Sequence, residues 1–95
     1  MALELKTYDV AEHLTSEEEI RLYLDAAFED GDAAIIANAL GNVARARGMT
    51  RIASEAGISR AGLYKAVGEN GNPSLQTLVA LLRAFGMKLK VESAR

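Results

Sequence analysis

Apolar residues recur at spacings of three and four along most of the chain, and glycines and capping residues break the pattern at short intervals. Ile20, Tyr23, Leu24, Ala27 and Phe28 form the first stripe, which runs through about Asp30, and Thr15 followed by Glu18 reads as the T-x-x-E capping box at its start. Gly31 is a natural stop, and Asp32 is a natural N-cap for a second helix with Ile36, Leu40, Val43 and Arg47 on one stripe and Gly48 at its end. Thr50 then caps a short helix through Ile52, Ala53 and Ala56, closed by Gly57. Ser59 caps another short one carrying Leu63, Ala66 and Val67. GENGNP is a loop by composition, with Asn70-Gly71-Asn72 as its turn. Ser74 caps a longer helix with Leu75, Leu78, Val79, Leu82 and Phe85 inward, and Gly86 stops it. In MKLKV, Leu89 and Val91 alternate with Lys88 and Lys90, which predicts a terminal strand; LELKTY at 3–8 alternates more weakly. The pattern therefore predicts an all-α fold of five helices with a short C-terminal β-strand and a possible N-terminal one. It is divided here into an acidic extension with one helix, residues 1–31, and a domain spanning 32–95.

Composition agrees. Of the 95 residues, 17 are Ala and 12 are Leu, against 5 Ile, 5 Val and 4 Thr, which argues against an all-β fold. A chain this short buries roughly 60–65% of its unfolded surface, and dimerisation is an attractive supplement. The absence of Cys rules out disulfides, thiolate zinc sites and thiol catalysis, and a single His leaves little for a metal centre or a His-based triad. His13 itself reads as a surface or helix-entry residue. No Gly-rich phosphate loop and no nucleophile–base pair is visible, so a non-enzymatic protein without cofactor or small-molecule substrate is expected. No apolar run approaches the ~20 residues of a membrane span, and no secretion signal is visible, so a cytoplasmic location is expected.

The net charge of −2 conceals a division. Residues 1–32 carry ten acids and two bases, and residues 33–95 carry nine bases and three acids. That split suggests two faces with different partners; an acidic solvated helix beside a basic one is the alternative. Within 45–65, Arg45, Arg47, Arg51, Arg60 and Lys65 face one acid, Glu55.

Two short helices joined through Gly-Ile-Ser have a specific use. In a helix-turn-helix, Gly57 takes the left-handed turn, Ala53 stays small because the second helix crosses close to it, and Ile52, Ala56, Ile58, Leu63 and Ala66 bury the corner. The second helix then offers Ser59, Arg60, Tyr64 and Lys65 to a major groove, while Thr50 and Arg51 at the start of the first suit a phosphate. The stretch IASEAGISRAGLYKAVGENGNPSLQTLVALLRAFG resembles the helix-turn-helix of the Cro/λ-repressor (Xre-like) class, in which a GIS corner precedes an N-P-S-L-x-T-L segment. The resemblance covers about residues 33–86. One departure is the Ala-rich second helix, with Ala61 and Ala66, which favours shape or phosphate contacts over base reading.

The whole chain is similar to a narrower group. TYDVAEHL, the acidic EEEIRLYLDAAFEDGD, ALGNVARARGMTRIA, the corner and the MKLKVE tail follow the order of the HigA-like addiction-module antidote (antitoxin) family. That resemblance implies a small DNA-binding autorepressor that binds double-stranded operator DNA and pairs with a RelE/HigB-like mRNA-cleaving toxin. Glu17, Glu18, Asp25, Glu29 and Asp30 are the residues expected to face such a toxin, because their segment carries the acid excess and is not needed for DNA. Two-fold operators call for a homodimer, for which Leu82, Phe85, Met87, Leu89 and Val91 are the apolar candidates; the alternative is that these residues cap the core of a single chain. A stand-alone or phage-type repressor without a toxin partner, and an interaction module that has lost DNA binding, are the alternatives.

Overall fold

A computed structural model describes residues 14–94. Five helices follow in order: α1 Glu17–Asp30, α2 Ala33–Arg47, α3 Met49–Ala56, α4 Arg60–Val67 and α5 Leu75–Ala84. The predicted segment at 3–8 and His13 lie outside the described residues.

Helix α1 begins one residue later than the pattern suggests. Ser16, not Thr15, is its N-cap: the Ser16 hydroxyl accepts from the Glu19 N–H at 3.1 Å, and the Glu19 carboxylate accepts from the Ser16 N–H at 3.2 Å. The sequence TSEEE offers both registers, and two side chains decide between them. Glu19 also accepts from the Thr15 N–H at 3.0 Å and the Thr15 hydroxyl at 2.9 Å, whereas Glu18 is drawn to Arg21 at 3.0 Å. The donors of Thr15 and then Ser16 hold the Glu19 carboxyl below its ordinary value of 4.5. Its contribution to the helix start is therefore complete above pH 4.5 and is lost as the pH falls through the lowered value. Ser16→Ala is expected to cost about 1 kcal/mol in urea melts at pH 7. Glu19→Ala is expected to lower stability at pH 7 and far less at pH 3; a cost that does not change with pH refutes the box.

Asp32 caps α2 as expected, accepting from the Ala34 N–H at 2.8 Å and the Ile35 N–H at 3.4 Å. The joint between α2 and α3 differs from expectation. Gly48 alone ends one helix and begins the next, and Thr50 is the second residue of α3, with no capping role. The Ile52 N–H donates to the Gly48 carbonyl at 3.0 Å, and Met49 is buried, so the helix starts before Thr50 is reached. Gly48 has φ 101°, a left-handed value that side chains resist, which is why the reversal takes a single residue.

Helix α3 ends as predicted, with Gly57 at φ 75°. The Gly57 N–H donates to the Ser54 carbonyl at 3.1 Å and the Ile58 N–H to the Ala53 carbonyl at 2.9 Å, the paired bonds of a Schellman ending. Ser59 caps α4 through the Gly62 N–H at 2.9 Å, and Ser74 caps α5 through the Thr77 N–H at 3.0 Å. Between them the 68–74 loop turns through Asn70 at φ 63°.

One apolar core joins all five helices, with Ile20, Leu40, Val43, Ile52, Leu63, Leu81 and Phe85 the largest fully buried side chains. Among the described residues no polar or charged residue is buried. Helix α1 makes its main helix contact with α2; α4 packs on α2 and α3, and α3 on α5. The inward stripe of α5 starts a turn later than predicted. Leu75, in its first turn, is 68% exposed, Leu78 and Val79 are half-buried, and Leu81, Leu82 and Phe85 fill the core.

The predicted C-terminal strand is absent: residues 87–94 have no regular secondary structure, and there is no strand among the described residues. A strand requires backbone partners, and the described part of a single chain offers none. No helix among the described residues is long and apolar enough to cross a membrane.

Candidate nucleic-acid interface

The corner formed by α3, Gly57-Ile58-Ser59 and α4 is held from below and open above. Ile52, Ala53, Leu63 and Val67 are buried, and Ala56, Ile58 and Ala66 pack half-buried against them. Ala53 is 3% exposed, in accord with the requirement for a small residue there. With Leu63 and Val67 turned inward, α4 leaves Arg60, Ala61, Gly62, Tyr64 and Lys65 to solvent.

Ser59 is exposed but spends its hydroxyl on the cap of α4. Arg60 and Tyr64, one turn apart, form a unit. The Arg60 guanidinium lies over the Tyr64 ring with its central carbon 5.4 Å from the ring centroid, and its Nη2 donates to the Tyr64 hydroxyl at 3.2 Å. The stacking holds the guanidinium along the helix face and leaves its remaining N–H donors free for an acceptor. Lys65 is exposed beside them.

At the start of α3, Thr50 and Arg51 are both exposed. Arg51 Nε donates to Glu55 at 3.1 Å, one turn along, so part of its charge is offset within the helix. Such exposed pairs contribute little to stability and exchange readily for an anionic ligand.

Sequence reasoning counted Arg45 only as charge. Asn42 Nδ2 donates to the Tyr23 hydroxyl at 2.7 Å, and the Arg45 guanidinium donates to Asn42 Oδ1. This network ties α1 to α2, and Arg45 also borders a hollow of about 520 Å³ with Asn38, Val67 and the Gly68–Gly71 turn. The Asn42–Arg45 spacing of three residues was a visible signal; the Tyr23 link, between residues 19 apart, was not.

The acids assigned to a toxin, Glu17, Glu18, Asp25, Glu29 and Asp30, are all exposed on α1. Two have neighbours that temper them. The Arg21 guanidinium, hydrogen-bonded to Glu18, holds that carboxyl below the ordinary range. Asp30 accepts from the Asp32 N–H at 3.3 Å. Asp25 and Glu29 line a groove of about 740 Å³ whose other wall is the tail, with Lys88 and Lys90. Of the five apolar residues assigned to a dimer interface, Leu82 and Phe85 are 4% and 1% exposed and belong to the core of the single chain, and Met87 is half-buried against it. Leu89 and Val91 face solvent. Among the described residues no group of His, Cys, Asp or Glu has the arrangement of a metal site.

Residues 4–93 match the model of a family described as probable addiction module antidote protein. An uncharacterized protein of Haemophilus influenzae strain Rd is 48% identical over 95 residues, which cover 100% of this chain and 98% of the relative. No solved structure is significantly similar.

Proposed function

The chain belongs to the family of probable addiction module antidote proteins, and from that premise we propose that it is the antitoxin of a type II toxin–antitoxin module. In this reading it is a homodimeric, non-enzymatic autorepressor that binds double-stranded operator DNA through a λ-repressor-like helix-turn-helix. It also neutralises a RelE/HigB-like mRNA-cleaving toxin by protein–protein contact.

The observation that carries the DNA half is the solvent face of α4. A helix packed through Leu63, Val67 and the half-buried Ala66, with Arg60, Tyr64 and Lys65 exposed on the other side, has the form of a helix offered to a groove. Ser59 at its N-cap and Thr50 with Arg51 at the start of α3 are the phosphate and edge contacts of the same reading. Its Ala61 and Gly62 bring the helix backbone close to the DNA while reading few base edges.

Support for the toxin half comes from family membership and the acid excess on α1. Helix α1 packs mainly on α2 through Ile20, Leu24 and Ala27, and this leaves Glu17, Glu18, Asp25, Glu29 and Asp30 available to basic residues of a partner. Removing α1 would take those buried residues with it, so the test neutralises charge instead. The partner is the product of the neighbouring reading frame, expected to be toxic when expressed alone. Single changes to Gln or Asn are expected to be mild, because charges at the rim of an interface act mainly on the association rate. All five together are expected to weaken toxin binding tenfold or more, with operator affinity not reduced. Unchanged toxin affinity in the fivefold variant sinks the assignment of this face.

A further inference from the structure

The segment after α5 has the pattern of a strand and none of its bonds. Met87, Leu89 and Val91 alternate with Lys88, Lys90 and Glu92. The chain leaves α5 through Gly86, and the Met87 N–H is fixed to the Leu82 carbonyl at 2.7 Å. From there its apolar row climbs out of the core: Met87 is half-buried, Leu89 42% exposed and Val91 91% exposed. The tail stands across the 740 Å³ groove from α1, with Leu24, Phe28 and Leu82 among the lining side chains.

We propose that residues 88–92 of two copies pair as an antiparallel ribbon about a two-fold axis at Lys90, with the apolar row of the ribbon closing over the groove. The proposal rests on the homodimer reading above and specifies where the copies meet. Second copies suit this tail because its sequence is complementary to itself when reversed. With the axis at Lys90, Leu89 lies opposite Val91 of the mate and Lys88 opposite Glu92 of the mate, each twice over. The axis itself opposes two Lys90 side chains, a cost that Glu92 of the mate on one diagonal offsets in part, with Lys88 of the mate on the other. An axis at Leu89 sets Lys88 against Lys90 of the mate twice; one at Val91 pairs Lys90 with Glu92 but sets each Leu89 against Ser93, so it loses the apolar Leu89–Val91 pairs. Registers centred between residues put apolar side chains opposite charged ones. The ribbon also satisfies the backbone groups of an otherwise unpaired edge.

The chain has no Cys, so each introduced thiol is unique. Single variants Lys88→Cys, Leu89→Cys, Lys90→Cys, Val91→Cys and Glu92→Cys of the full chain are oxidised mildly, and the covalent dimer is quantified. All five positions are exposed, and the uncrosslinked variants are checked by sedimentation. Lys90→Cys is expected to bridge fastest, because the axis brings that residue opposite itself, whereas Lys88→Cys faces its copy from four residues along, about 14 Å away. An equal mixture of Lys88→Cys and Glu92→Cys is expected to bridge where neither does alone. A dimer by sedimentation that bridges at none of these positions overturns the ribbon while leaving the homodimer, and moves attention to the exposed Leu75 face of α5. A maximum at Val91→Cys overturns the Lys90 register. A monomer at micromolar concentration overturns both the ribbon and the homodimer.

Discussion

Raising monovalent salt from 50 to 200 mM is expected to weaken operator binding by about a thousandfold. Arg45, Arg51, Arg60 and Lys65 are exposed and Arg47 half-buried, and Glu55 is their only acidic neighbour within 45–65. If a bound dimer neutralises about six phosphates, the release of their counterions gives a slope near −5 in log K against log salt. A fourfold rise in salt then lowers affinity by about three powers of ten. Arg60→Ala is expected to cost about 1–3 kcal/mol and to flatten base preference at the position it reads, since its guanidinium, held on Tyr64, is the one on α4 able to make a bidentate pair. Anisotropy titrations of an operator fragment across salt test both points. Affinity that is flat with salt removes DNA binding from the reading, and an Arg60→Ala protein within twofold of wild type removes α4 from the groove.

The largest expected loss of stability is at Phe85. Phe85→Ala is expected to cost about 3–5 kcal/mol, a large share of the roughly 5–15 kcal/mol by which small domains are stable. At about 4–8 °C per kcal/mol for a domain of this size, melting falls by more than ~10 °C. The ring is 1% exposed, and its residue closes α5, where the Phe85 N–H donates to the Leu81 and Leu82 carbonyls at 3.0 and 3.1 Å. Since the ring belongs to the core of a single chain, the drop should be similar at low and high protein concentration. A Phe85→Ala protein that melts like wild type when concentrated and differently only when dilute would return Phe85 to an interface.

The helices were legible because Ala and Leu stripes, Asp32, Ser59 and Ser74 caps and Gly stops repeat a short-range code in which cause and effect lie within four residues. The same locality explains the errors. TSEEE contains two overlapping capping boxes, and the pairing of Glu18 with Arg21 together with the donors that Glu19 collects from Thr15 and Ser16 goes with the Ser16 register. Thr50 looked like a cap because a threonine before an apolar run usually is one, whereas burial of Met49 draws the helix start back to Gly48. For Leu82 and Phe85 the sequence leaves both a partner and the core open, because a stripe of apolar residues does not say whether its cover is the same chain or another; within the chain both are buried. The tail pattern was that of a strand, but sequence alternation states a face, not the presence of a neighbour to pair with. At the candidate interface, the exposure of Ser59, Arg60, Tyr64 and Lys65 followed from Leu63 and Val67 alone. The Arg60–Tyr64 stacking was implicit in their spacing of four, while the Tyr23–Asn42 bond needed the packing of two helices.

The single-residue joint at Gly48 bears on which changes of length the fold can absorb. A residue inserted there that joined the first turn of α3 would turn the rest of that helix by about 100° about its axis and shift it by about 1.5 Å. Ile52 and Ala53 would then swing from the core toward solvent, and α4, which packs on α3, would be carried with it. Deleting Gly48 would fuse two helices into one rod and abolish the bend altogether. A change of length at Gly48 therefore bears directly on the orientation of α4, whereas the exposed parts of the 68–74 loop leave room to absorb one.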